Sequence, residues 1–191
     1  MRRILFSVLT GMGLMLALVM AATAAQAAAF PSTIIRSNGV VSPARCIGPL
    51  NGGTADNTPV VLMDCSQVWH GFAPIGVSID NSIRHSSGKC LSLANTQNPT
   101  PLGTRLILRT CAFGVTGDQQ WTFRALTPGA PDNVWVLGQH FSFNCVAPVG
   151  NSTASGTPLS VQSCNFGPLQ QWVMPPNPGS FGFSFDDGTT P

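Results

Sequence analysis

The chain has 191 residues, of which only 8% are charged, with nine Lys and Arg against seven acidic residues and a formal net charge of +2. Charge this sparse and balanced excludes the basic footprint of a nucleic-acid or heparin binder. Glycine and proline are abundant at 20 and 16 residues, glutamate and tyrosine are absent, and no stretch past the amino-terminal segment sustains a helical period, which excludes a helical domain.

The first segment, MRRILFSVLTGMGLMLALVMAATAAQA, carries Arg2 and Arg3, a long apolar run and then Ala25-Gln26-Ala27. That layout predicts a secretory signal peptide over residues 1–27. The alternative is a membrane anchor, since the apolar run approaches the roughly 20 residues that span a bilayer. Small residues at the cleavage position favour the signal peptide. Its removal predicts a secreted protein, extracellular or periplasmic, with no membrane contact after cleavage. It also leaves seven basic residues against seven aspartates, a formal charge of zero.

Next comes CIGPLNGGTADNTPVVLMDC from Cys46 to Cys65, followed by Gln67-Val68-Trp69. The same order of cysteine, polar loop, apolar run, cysteine and Gln-x-Trp returns from Cys90 to Cys111, with Gln119-Gln120-Trp121 behind it. It returns once more from Cys145 to Cys164, with Gln170-Gln171-Trp172. Three copies at a period of roughly 45 to 55 residues predict repeats that bury their apolar faces only against one another. The expected repeats are about 32–76, 77–124 and 125–174. Position within each copy pairs Cys46 with Cys65, Cys90 with Cys111 and Cys145 with Cys164, separated by 19, 21 and 19 residues. A regular, even set of cysteines suits an oxidising compartment. The runs PVVLMDC, TRLILRTC, NVWVLG and PLSVQSC are strand-length and bounded by Gly, Pro, Asn or Ser. The expected class is therefore all-β, and closure of the three copies removes exposed sheet edges.

Three Gln-x-Trp motifs in register with three cysteine pairs resemble the ricin B-type lectin domain, a β-trefoil, over roughly residues 32–174. The resemblance implies four strands per repeat, with Trp69, Trp121 and Trp172 in a shared core and each motif glutamine tying down loop backbone. Trp69 stands four residues past Cys65, against ten for Trp121 and eight for Trp172, so Phe72 is the alternative core residue of the first repeat. The family's sugar site uses an aspartate two residues after the first cysteine, an aromatic two before the second, and an Asn beside the motif Gln. Here the aspartate slot holds Gly48, Ser92 and Ala147, the aromatic slot Met63, Arg109 and Gln162, and the Asn slot Ser66, Asp118 and Leu169.

The magnitudes make these departures matter. A charge-assisted hydrogen bond contributes about 1.5 to 3 kcal/mol, whereas a millimolar site has only about 4 kcal/mol in all. The best remnant is the second repeat, where Ser92, Arg109, Asp118 and Gln119 are the candidate carbohydrate contacts. The competing arrangement is an Arg109–Asp118 ion pair. The functional expectation is a weak, non-catalytic carbohydrate-binding module, a monomer that takes a glycan or polysaccharide. The alternative is a trefoil that has lost sugar binding and acts on a protein partner.

No cofactor, metal or catalytic set is expected. His70, His85 and His140 lack metal-ligand spacing, there is no glutamate, and Asp64 and Asp118 fall in different repeats. Asn151-Ser152-Thr153 fits a glycosylation sequon. In the tail, 175–191, Phe181, Phe183 and Phe185 alternate with small residues ahead of Asp186-Asp187, a pattern that suits one half-buried strand.

Overall fold

Short β-favouring runs separated by turn residues produce strands of two to six residues in the computed structural model, which describes residues 34–72, 82–112, 117–126, 133–140, 142, 144–174 and 185–186. The signal-peptide segment, Phe181 and Phe183 lie outside the described residues, as do the side chains of His70 and Phe72. The first repeat supplies β1 (Arg36–Val41), β2 (Ala44–Pro49), β3 (Val60–Met63) and β4 (Trp69–Phe72). The second supplies β5 (Ser82–His85), β6 (Cys90–Leu93), β7 (Leu106–Arg109) and β8 (Trp121–Ala125). The third supplies β9 (Val134–Gln139), β10 (Cys145–Pro148), β11 (Leu159–Gln162) and β12 (Gln171–Val173), and β13 (Phe185–Asp186) follows in the tail. The predicted strand runs hold β3, β7, β9 and β11. Among the described residues no helix is long and apolar enough to cross a membrane.

The fold is a β-trefoil. In each repeat the middle two strands form an antiparallel hairpin, β2–β3, β6–β7 and β10–β11. The outer strands join one repeat to the next through β4–β5, β8–β9 and β12–β1, the last pairing Arg36 with Val173. β13 adds parallel to β8, with Phe185 beside Phe123.

The hairpin tips form a closed ring. Asn57 N–H donates to Leu108 O and Leu108 N–H to Thr58 O, both at 2.8 Å. Gly103 and Thr104 make the same exchange with Val161, and Gly156 and Thr157 make it with Leu62. Each tip therefore docks on the second hairpin strand of another repeat. The turn requires a left-handed residue, met at φ 66° by Asn57, 82° by Gly103 and 83° by Gly156, which is why Asn or Gly stands at this position each time.

Beneath the hairpins lies the shared core. Trp69, Trp121 and Trp172 are at most 1% exposed, packed with residues such as Ile47, Leu91, Leu108, Phe123 and Val161. A buried indole N–H needs an acceptor. All three reach the carbonyl one residue past the first cysteine of their own repeat, Trp69 to Ile47 O at 2.9 Å, Trp121 to Leu91 O at 3.0 Å and Trp172 to Val146 O at 3.3 Å. Trp69 thus occupies the core position of the first repeat for which Phe72 was the alternative. The disulfides are Cys46–Cys65, Cys90–Cys111 and Cys145–Cys164, each inside one repeat.

Candidate functional site

The three family-type slots differ in what fills them. In the first repeat Gly48 stands on β2, and a Cβ built there would lie 2.1 Å from Met63 Sδ and 2.8 Å from Gln67 Cγ. The Met63 side chain therefore covers the slot. In the third repeat Gln162 folds back, its Nε2 donating to Pro148 O at 3.1 Å and Ser160 Oγ at 3.3 Å. Leu169 packs against the core there, within reach of Gly39 on β1. Neither slot carries a charged side chain at the family positions.

The second repeat brings Ser92, Arg109 and Asp118 together. The register of β6 and β7 places Cys90 opposite Arg109 and Ser92 opposite Ile107, so Ser92 and Arg109 sit diagonally on neighbouring strands. Asp118 arrives from the turn before β8, fixed by Leu93 N–H donating to its backbone carbonyl at 2.9 Å. The buried Ser92 hydroxyl donates to Asp118 Oδ2 at 3.0 Å, and Arg109 Nη1 donates to the same oxygen at 3.3 Å. The Asp118 side chain is only 10% exposed, the Arg109 side chain 30%. Asp118 Oδ1 takes no hydrogen bond among the described residues.

Gln119 differs from the expectation of a sugar contact. It is buried, its Oε1 accepts Ala112 N–H at 2.8 Å and its Nε2 donates to Thr110 O at 3.1 Å. Both ends are committed to backbone, so it shapes the loop rather than facing a ligand. Gln170 does the same in the third repeat, accepting from Asn165 and Phe166 and donating to Ser163 O. Gln67 instead meets His85 Nε2 at 2.9 Å. Because His85 Nδ1 lies 3.2 Å from the Ser87 N–H, which can only donate, that nitrogen is the acceptor and Nε2–H donates to Gln67. His140 Nδ1 meets Thr122 Oγ1 at 2.8 Å. No group of three His, Cys, Asp or Glu among the described residues could hold a metal.

Sequence reasoning missed a cleft of ~320 Å³ beside Asp118. Thr96, Gln97 and Asn98 form one wall, Gly117 and Asp118 the other, and the buried Thr100 and Gln139 the floor. Gln139 belongs to β9 of the third repeat, so no inspection of the second repeat alone could find it. One signal was present, the separation of 21 between Cys90 and Cys111 against 19 in the other pairs. Counted back from the second cysteine, the three hairpins match through the left-handed tip residue, so the extra length falls before Gly103.

The sequence model of the family described as the ricin-type beta-trefoil lectin domain matches residues 33–172. No curated protein sequence matches the chain. Among solved structures, a designed threefold-symmetric protein, ThreeFoil, is similar at 21% identity and a TM-score of 0.60, over 75% of this chain and 96% of that one. A ricin B-like lectin from Macrolepiota procera, solved with lactose, is similar at 20% identity and a TM-score of 0.55, over 78% of this chain and 97% of that one. An exo-beta-1,3-galactanase from Clostridium thermocellum is similar at 18% identity and a TM-score of 0.61, over 75% of this chain. The chain spans only 29% of the galactanase's length.

Proposed function

From the membership of this chain in the ricin-type beta-trefoil lectin domain family over residues 33–172, we propose that it is a secreted, non-catalytic carbohydrate-binding module whose working site is in the second repeat. The observation that carries this reading is the state of Asp118. One carboxylate oxygen is held by Ser92 and Arg109, while the other takes no hydrogen bond among the described residues and is left for a ligand. A fixed carboxylate is a strong acceptor for sugar hydroxyls. Ser92 and Arg109 act by holding Asp118, and Gln119 by holding the loop behind it. The lectin solved with lactose shares this fold, which supports a neutral sugar as ligand. The first and third repeats serve as scaffold, since Met63 and Leu169 occupy their slots.

The test is a glycan array and a polysaccharide pull-down with wild-type protein and with Asp118→Ala. Wild type is expected to show weak, saturable binding that free sugar competes away. Asp118→Ala should lose at least one charge-assisted hydrogen bond, about 1.5 to 3 kcal/mol, and with it measurable binding, while keeping its thermal midpoint within a few degrees. Recovery of a protein partner with no glycan signal would favour the scaffold alternative.

A further inference from the structure

Resting on the carbohydrate reading, we infer that the sugar does not sit in the slot its family position predicts but in the neighbouring inter-repeat cleft, which takes a single uncharged, hydroxyl-rich ring. The family slot has lost its sugar-holding pair. Ser92 and one Arg109 N–H are turned to Asp118 Oδ2, and no aromatic side chain stands at position 109 to receive a ring face. The neighbouring cleft is lined by Asp118 but not by Ser92 or Arg109, and differs in each respect.

Its floor is prebuilt. Ser142 Oγ donates to Gln139 Oε1 at 2.5 Å, and Gln139 Nε2 donates to Thr100 Oγ1 at 2.9 Å and Gly117 O at 3.1 Å. Thr100 Oγ1 in turn donates to Gln97 O at 3.3 Å. One carboxamide from the third repeat thereby clamps both walls of the second. The 94–100 loop is pinned further by Gln97 N–H to Asn95 Oδ1 at 2.9 Å. A cleft held open in this way costs little to order when a ligand arrives.

Its rim is unspent. Among the described residues the Thr96 hydroxyl, the Asn98 carboxamide and Asp118 Oδ1 make no hydrogen bond, and their three residues line the cleft. They combine donors and acceptors at separate points, which is what a ring of hydroxyl groups requires. Among the described residues no Lys or Arg lines the cleft and one carboxylate does, so the ligand is neutral rather than acidic. The volume of ~320 Å³ stands at the small end of the roughly 300 to 1,000 Å³ of ligand pockets, which suits one ring and not a chain. The extra length of the Cys90–Cys111 loop falls on the side of the hairpin tip that carries the 96–98 wall.

The experiment titrates the full chain, as its host processes it, with the methyl glycosides of galactose, glucose, mannose, xylose and N-acetylgalactosamine, and with galacturonic acid. Amide chemical shifts and calorimetry are the readouts. At least one neutral glycoside should saturate, with its shifts centred on residues 96–98, 117–118 and 139. The double substitution Thr96→Ala with Gln97→Ala, both exposed, should weaken it about tenfold or more, and galacturonate should bind at least about tenfold more weakly than methyl galactoside if galactose is accepted. Shifts centred instead on 92 and 109, with full affinity in the double variant and loss in Arg109→Ala, would overturn the cleft and leave the carbohydrate reading standing. Saturation by none of these sugars, together with a blank polysaccharide pull-down, would overturn both. The wild-type shift map decides the question even where a variant folds poorly.

Discussion

Trp69, Trp121 and Trp172 each fill the common core and, through the indole N–H, hold the strand that follows a first cysteine. The second task separates Trp from Phe at these sites. Trp69→Phe should keep most of the packing but orphan the bond to Ile47 O, costing about 2 kcal/mol, measured as a lower midpoint in guanidinium with an unchanged slope. A cost near zero would mean that Ile47 O is satisfied in another way. The tryptophans were legible in the sequence because Gln-x-Trp repeats in register. What spacing left open was Trp69 against Phe72, since only three-dimensional contact tells which ring reaches a carbonyl. The role of Gln119 was likewise beyond reading from type alone, because a carboxamide can face a ligand or a loop with equal chemistry.

Loops between strands carry the differences among three otherwise equivalent repeats. The loop of the first hairpin is tied to the second repeat by Asp56, whose carboxylate accepts from Lys89 Nζ at 2.6 Å, Thr110 N–H at 2.8 Å and the Thr110 hydroxyl. The Lys89 hydrogen bond, with those of Thr110, holds this carboxyl below its ordinary value of 3.8. A group with a depressed folded pKa adds stability that is present above the unfolded value and is lost as pH falls through the folded one. Asp56→Asn should therefore lower the thermal midpoint at pH 7, and the gap from wild type should close as pH falls below about 3.8. A gap that persists at pH 2 would assign the effect to packing. A second element-level expectation concerns the bridges, each closing a loop of about 20 residues. Removing Cys90–Cys111 as a pair of serines should cost about 3 kcal/mol, read by chemical denaturation. The hairpins and their bridges were visible as a repeat, whereas the Asp56 tie joins residues far apart in sequence that only the closed ring of tips brings together.

Across the whole molecule the twelve strands of the trefoil were readable as a class and a threefold plan, because each repeat has the same punctuation. The cleft was not readable, since its walls come from one repeat and half of its floor, Gln139, from the next. The tail strand β13 is an addition to the threefold plan, lying parallel along β8. Truncation after Met174 should reduce hydrogen-exchange protection along β8 and leave that of β6 and β7 unchanged; equal protection in both forms would make β13 dispensable. The seam of the barrel has a further consequence. Arg36 pairs with Val173, so β1, which pairs with β2 on one side, finds its other partner only in β12. A chain emerging amino-terminus first from the ribosome or a translocon holds two finished repeats with an unmatched edge, and the ring of hairpin tips lacks a member until the third appears. Completion of the domain thus waits for β12 to be synthesised, while each disulfide, local to its own repeat, has both of its thiols available earlier.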